Sequence, residues 1–347
     1  MWGCERFVWF IWFVLFIWCL GNQINQTNDV TNSSRAGDGD LIWSVEAWSS
    51  WPEQGGVVDN TKESKPMKIV IGVDGSKYGR WAAGWAARLP VSKPVRVTAV
   101  HAVDLTYLKA PFMSQPVVIG NEPFLRAEVR RIEDLSKRVV RETRAMLSSL
   151  RLSGKVVCQR GAAAATLLRQ ARRGDLIALG SRGLDALDRF LLGSVSTQVV
   201  LHAPCSVLIV KEPPRPVHRL VVAVDGSKAS EKAVGFVLRD LLPQWQLRNT
   251  EITLVHAMPL LKYPEVKEAG KKLFRRHTDK LVKAGFTVTE APRLGRPADE
   301  IIAVAKQKQA DLIVMGAKGL GAVGRFFLGS VSTKVVQHSP VSVLVVR

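Results

Sequence analysis

Acidic residues are scarce in this chain. Its 347 residues carry 30 Asp and Glu against 49 Lys and Arg, a formal charge of +19. An excess of that size attracts nucleic acid, anionic membrane surface and nucleotides alike, and it constrains solubility and partners rather than fold. Cysteine is rarer still. Cys4, Cys19, Cys158 and Cys205 are the only ones, and without C-x-x-C spacing they indicate neither a zinc site nor a disulfide framework. Cys158 and Cys205 fall in apolar segments that read as strands, so buried free thiols in a reducing compartment are expected. Aromatic residues are thin where they would matter for nucleic acid. Only 3 Tyr occur and seven of the 10 Trp lie within residues 1–66, so the remainder lacks a base-stacking platform and sequence-specific reading of DNA or RNA is not expected. There is no G-x-x-x-x-G-K-[ST] phosphate loop, nucleophile–base pair or metal-ligand cluster, so no catalytic or metal residue is assigned.

What is present is a repeat. Residues 180–210 read GSRGLDALDRFLLGSVSTQVVLHAPCSVLIV and residues 316–346 read GAKGLGAVGRFFLGSVSTKVVQHSPVSVLVV, an offset of 136 (316 − 180). Both copies keep the spacing Gly-x2-Gly-x9-Gly-Ser, at Gly180, Gly183, Gly193 and Ser194, then Gly316, Gly319, Gly329 and Ser330. Glycine lets backbone amides approach a ligand. A Gly-Ser step opening a helix offers free N–H groups and the positive end of the dipole, which suits phosphate.

The repeat extends upstream. KIVIGVDGS at 68–76 matches RLVVAVDGS at 219–227, and VTAVHAV at 97–103 matches ITLVHAM at 252–258. GAAAATLL at 161–168 and GRPADEII at 295–302 follow, then GDLIALG at 174–180 and ADLIVMG at 310–316. Val- and Ile-rich runs separated by helical stretches such as 78–89 and 229–242 predict βαβ units. The expected class is α/β: two tandem Rossmann-like domains, 67–212 and 213–347, each a five-stranded parallel sheet sandwiched by helices, with EPPRPV at 212–217 as linker. Asp74 precedes Gly180 by 106 residues (180 − 74) and Asp225 precedes Gly316 by 91 (316 − 225). Most of the excess falls in 105–124, read either as a tolerated surface insertion or as a lid over the first site.

Residues 1–66 are of another kind, with 4 basic and 8 acidic residues. Residues 7–20, FVWFIWFVLFIWCL, are apolar throughout, short of the roughly 20 residues that span a bilayer and of a length that suits a signal peptide. Three readings stand: a wrongly chosen start upstream of Met67, a signal or anchor, or a real extension, disordered across its Asn-, Asp- and Ser-rich 21–41. The first gives a cytoplasmic protein; the second places it at a membrane or exports it.

Taken in order and in duplicate, VDGS after the first strand, the glycine cluster after the fourth, GSVST, and HAP or HSP-x-S-V-L before the last strand resemble the universal stress protein family in its tandem form. The resemblance covers 67–347 and implies an adenine nucleotide alpha hydrolase-like fold that binds ATP, with or without Mg²⁺, as a stress sensor or regulator with little or no hydrolysis. It implies that Asp74 and Asp225 sit near ribose and adenine, and that Ala102, Leu179, Ala257 and Met315 line the adenine pocket. Gly180, Gly183, Gly316 and Gly319 would flank ribose and phosphates. Gly193, Ser194, Val195 and Ser196, and Gly329, Ser330, Val331 and Ser332, would hold phosphate oxygens through amides and hydroxyls. It further implies pairing of 205–210 with 341–346 in an intramolecular pseudo-dimer, with a homodimer left open. A nucleotide-free scaffold acting on an acidic partner and a slow ATPase are the alternatives.

Within the nine-residue spacer Asp185 and Asp188 stand where repeat 2 has Gly321 and Gly324. Carboxylates repel a triphosphate unless a metal intervenes, so tighter or less metal-dependent binding is expected in repeat 2. The match of Gly319, Gly321 and Gly324 to GxGxxG is accidental, for no acidic residue follows Asp311 to grip a ribose. His101 and His256 read as packed strand residues, and His202 and His338 as residues at helix ends.

Overall fold

Runs that are apolar on successive residues must be covered on both faces, and the Val- and Ile-rich segments here form strands buried in that way. In this computed structural model residues 66–91, 94–105, 122–183, 192–241, 250–258, 264–319 and 328–347 are described. The chain divides into two units, Met1–Lys62 and Glu63–Arg347, and the fold is that of the second. The readings of residues 1–65, of the insertion over 106–121 and of Asp185, Asp188, Gly321 and Gly324 lie outside the described residues.

Repeat 1 runs β1 Met67–Gly72, α1 Lys77–Arg88, β2 Val95–Val103, α2 Glu122–Ser149, β3 Gly154–Arg160, α3 Ala163–Gln170, β4 Leu176–Gly180, α4 Ser194–His202 and β5 Ser206–Val210. Repeat 2 runs β6 Arg219–Ala223, α5 Lys228–Phe236, β7 Glu251–Met258, α6 Pro264–Lys283, β8 Thr287–Leu294, α7 Pro297–Gln307, β9 Leu312–Gly316, α8 Ser330–His338 and β10 Val343–Val346. A π turn, Val237–Leu241, extends α5.

All ten strands join one sheet in the order β3-β2-β1-β4-β5-β10-β9-β6-β7-β8. Neighbours are parallel except at the centre, where β5 and β10 run antiparallel with Leu344 opposite Leu208. The final strands thus pair within the chain, as expected.

Alternate residues of each strand face opposite layers. Ile69, Ile71, Ala178, Val222 and Leu344 face one layer with Trp85 of α1 and Phe274 and Leu281 of α6. Val70, Ile177, Val221 and Val345 face the other with Leu167, Val199, Val304 and Val335 of α3, α4, α7 and α8.

Cys158 departs from expectation. It lies on β3, an edge strand with β2 as its sole neighbour and mostly exposed residues, so its thiol is exposed while that of Cys205 is buried. Cys205 itself immediately precedes β5.

The Pro-rich linker is held at several points. Trp85 Nε1 donates to the Glu212 carbonyl at 3.0 Å and Arg88 to that of Pro214 at 2.8 Å. A Cβ on Gly84 would stand 2.6 Å from Pro214 Cγ, so the glycine makes room for the linker over α1. The Asp311 carboxylate accepts the His218 and Arg219 amides at 2.9 and 2.8 Å and faces Arg215 at 3.1 Å. Among the described residues no helix is long and apolar enough to cross a membrane.

Candidate functional site

In each repeat the chain leaves the first strand outward, through two further strands, then crosses back to place the fourth on the first strand's other side. Between β1 and β4, and between β6 and β9, lies a switch point of strand order, where open α/β sheets form ligand crevices beyond their carboxyl ends. Asp74 and Asp225 stand there, each half-buried, in the turn before α1 or α5. Gly75 and Gly226, at φ +88° and +80°, turn the chain in a conformation that favours glycine. Asp74 Oδ1 accepts the Ser76 amide at 2.9 Å and Asp225 Oδ1 that of Ser227 at 3.0 Å. The helix N-caps are Ser76 and Ser227, which accept the amides of Gly79 and Ser230. Oδ1 of each Asp therefore builds the turn, and Oδ2 is directed elsewhere.

The glycines divide by role. A Cβ on Gly183 would stand 2.8 Å from Asp74 Oδ2, and one on Gly319 2.8 Å from Asp225 Oδ2. These two keep the space in front of the carboxylates open. Gly180 and Gly316 answer a different need: a Cβ there would meet Tyr78 Cβ at 2.4 Å or the Ala229 carbonyl carbon at 2.6 Å. Close approach of the first helix to the fourth strand accounts for them without a ligand. Gly193 and Gly329 are unconstrained by the protein: a Cβ on either would find its nearest atoms at 3.5 Å, and their φ values are −61° and −67°.

Those last two glycines open α4 and α8. Neither helix has a side-chain N-cap bond or an acidic residue in its first turn. The first intrahelical amide bonds run from Thr197 to the Gly193 carbonyl and from Thr333 to that of Gly329, both 2.9 Å. The amides of Ser194, Val195 and Ser196, and of Ser330, Val331 and Ser332, precede them and have no carbonyl within the helix. Ser194 and Ser330 are exposed. The hydroxyls of Ser196 and Ser332 are buried and donate to the Gly180 and Gly316 carbonyls at 2.7 and 2.9 Å, so these two side chains tie helix to strand and only their amides are available to an anion.

Ala102 and Ala257 stand half-buried near the ends of β2 and β7. Leu179 and Met315 are buried in the layer of α3, α4, α7 and α8. His101 Nδ1 lies 2.9 Å from the Val73 carbonyl and His256 Nδ1 2.8 Å from that of Val224. Both histidines brace the Asp turn, in keeping with a packed role. Among the described residues no group of three or more His, Cys, Asp or Glu could hold a metal.

Sequence reading passed over a cation in each cluster. Arg182 and Lys318 occupy the same place, between the first two glycines, and GSRG against GAKG was signal enough to find them. Arg182 lies 6.0 Å from the Tyr78 ring centroid with Nη1 3.5 Å from its hydroxyl, and Tyr78 packs edge-on to Trp81 at 5.0 Å. Repeat 2 has Ala229 and Lys232 in the places of this aromatic pair.

Duplicated crevices of this build on an α/β sheet define a tandem protein of the Rossmann-like class. The sequence pattern of the universal stress protein family matches residues 66–211 and again 216–347, and the chain belongs to that family. A universal stress protein of Mycobacterium tuberculosis is 30% identical over 302 residues, covering 82% of this chain and 99% of the relative. One of Mycolicibacterium smegmatis is 25% identical over 294 residues, covering 80% and 96%. The crystal structure of a universal stress protein from Archaeoglobus fulgidus shares the fold, with TM-score 0.59 and 20% identity over 81% of this chain and 98% of that one.

Proposed function

We propose that the chain binds an adenine nucleotide, ATP, at each crevice and acts as a nucleotide-dependent stress sensor or regulator rather than as a catalyst. One observation carries this reading: both repeats set an Asp carboxylate and an uncapped helix N-terminus around a glycine whose missing side chain leaves the space between them open. The carboxylate suits a ribose hydroxyl, and the amides of Ser194 and Val195, or Ser330 and Val331, suit phosphate oxygens. Arg182 and Lys318 add positive charge beside each. Any Mg²⁺ would come with the phosphates and offset their charge. A cytoplasmic location fits this reading.

A nucleotide-free scaffold is the second reading, favoured by Gly180, Gly316, Ser196 and Ser332, whose contacts serve the fold. Acid extraction of the freshly purified chain, followed by identification of released nucleotide and titration of the stripped protein with ATP, separates the two. Uptake of up to two ATP per chain is expected, with little or no phosphate release. Absence of uptake with or without Mg²⁺ would favour the scaffold.

A further inference from the structure

Each repeat lends one residue to the other. Lys211 and Arg347 follow β5 and β10 and correspond under the repeat offset of 136 (347 − 211). The Lys211 ammonium donates to the Gln337 carbonyl at 3.3 Å, in the last turn of α8. Arg347 Nη2 donates to the Val200 and Leu201 carbonyls at 2.5 and 3.0 Å, in the last turn of α4. Leu201 and Gln337 correspond under the same offset (337 − 201 = 136). The main chain repeats the exchange, with the Lys211 amide donating to Ser342 Oγ at 3.1 Å and the Arg347 amide to Ser206 Oγ at 3.4 Å.

The helices capped in this way are the two whose other ends form the candidate phosphate sites. A cation on the last carbonyls offsets the negative pole of a helix, and a cation carried by the other repeat's central strand fixes where that helix, and so its first amides, stands. Burial first, and then the charge of Arg182, lower the Lys211 ammonium to about 8, so that it is still largely charged against Gln337 at pH 7. Arg347, a guanidinium, keeps its charge throughout.

We infer that Lys211 and Arg347 are positioning residues for the opposite repeat's phosphate helix. The inference rests on the nucleotide reading above. Calorimetric titration of the full chain with ATP tests it, with wild type beside Lys211→Met and Lys211→Arg. Lys211→Met should weaken one of the two sites by about threefold or more and leave the other as in wild type, and Lys211→Arg should restore it. Two unchanged sites in Lys211→Met would overturn the positioning role alone, as would equal weakening of both sites or a Lys211→Arg variant no better than Lys211→Met. No ATP bound by any of the three would overturn the nucleotide reading along with it.

Discussion

Asp225 and Gly319 face each other across the second crevice so closely that a Cβ on the glycine would stand 2.8 Å from Asp225 Oδ2, and Asp74 and Gly183 repeat the distance in the first. No left-handed φ is needed at Gly183 or Gly319, so the carboxylate, not the backbone, explains why each is glycine. Gly319→Ala must push the carboxylate or the loop aside. The expected result is about a tenfold loss of ATP affinity at the second site, with a stability cost of about 1–3 kcal/mol or less. Calorimetry beside a thermal melt checks it, and unchanged affinity would remove Asp225 from the ligand's surroundings.

Gly316 and Gly329 should part company under the same substitution. A Cβ at Gly316 meets Ala229 backbone at 2.6 Å, and backbone cannot swing away, so Gly316→Ala should lower stability by about 1–3 kcal/mol as α5 shifts. Gly329→Ala meets nothing nearer than 3.5 Å and should cost under about 1 kcal/mol, the penalty of alanine at an N-cap. Urea midpoints of the two variants measure this. A loss of ATP affinity in Gly329→Ala, free of a stability loss, then belongs to the ligand side.

The strands were legible because their residues are apolar on both faces, and the repeat made each reading twice. The pairing of β5 with β10 came from the family resemblance, since nothing in CSVLIV or VSVLVV specifies a partner, and its antiparallel sense is seen only in the sheet. The glycine spacing located the crevices but could not sort the glycines. Gly180 and Gly316 answer to Tyr78 and Ala229, about 100 residues upstream in repeat 1 and 90 in repeat 2, a contact that only the folded sheet brings together. Ser196 and Ser332 misled for the same reason: a hydroxyl in a helix's first turn reads as an anion donor until a carbonyl from the neighbouring strand takes it. Cys158 reads as buried because VVCQ is apolar enough for a strand, and the sequence does not say which strand lies at the edge.

The two thiols of the paired domains should differ sharply in reactivity. Cys158 is exposed, whereas Cys205 is buried and its thiol is pushed up to about 12, chiefly by burial and then by Asp175. Thiolate is the reacting form. Brief alkylation of the native chain at pH 8, mapped by mass spectrometry, should label Cys158 fully and leave Cys205 unmodified until denaturant is added. Equal labelling of both in the native state would contradict the burial of Cys205.

His277 should give the fold an acid-sensitive component. It lies on α6, is 1% exposed, and neither ring nitrogen has a hydrogen bond. Burial first, then Lys280 and Arg276, lower its pKa, with Glu231 acting in the opposite sense. A histidine lowered in the folded state stays neutral there while the unfolded chain takes up a proton near pH 6.5. Its contribution is therefore fully present above about pH 6.5, and is lost as pH falls from there toward the folded value. His277→Leu removes the proton site from both states. Urea midpoints at pH 7.5 and 5.5 should show a smaller drop for His277→Leu than for wild type, with carboxylates common to both chains cancelling in the comparison. Equal drops would mean that the folded protein accommodates the imidazolium, and that the α6 core opens around His277 more readily than its burial indicates.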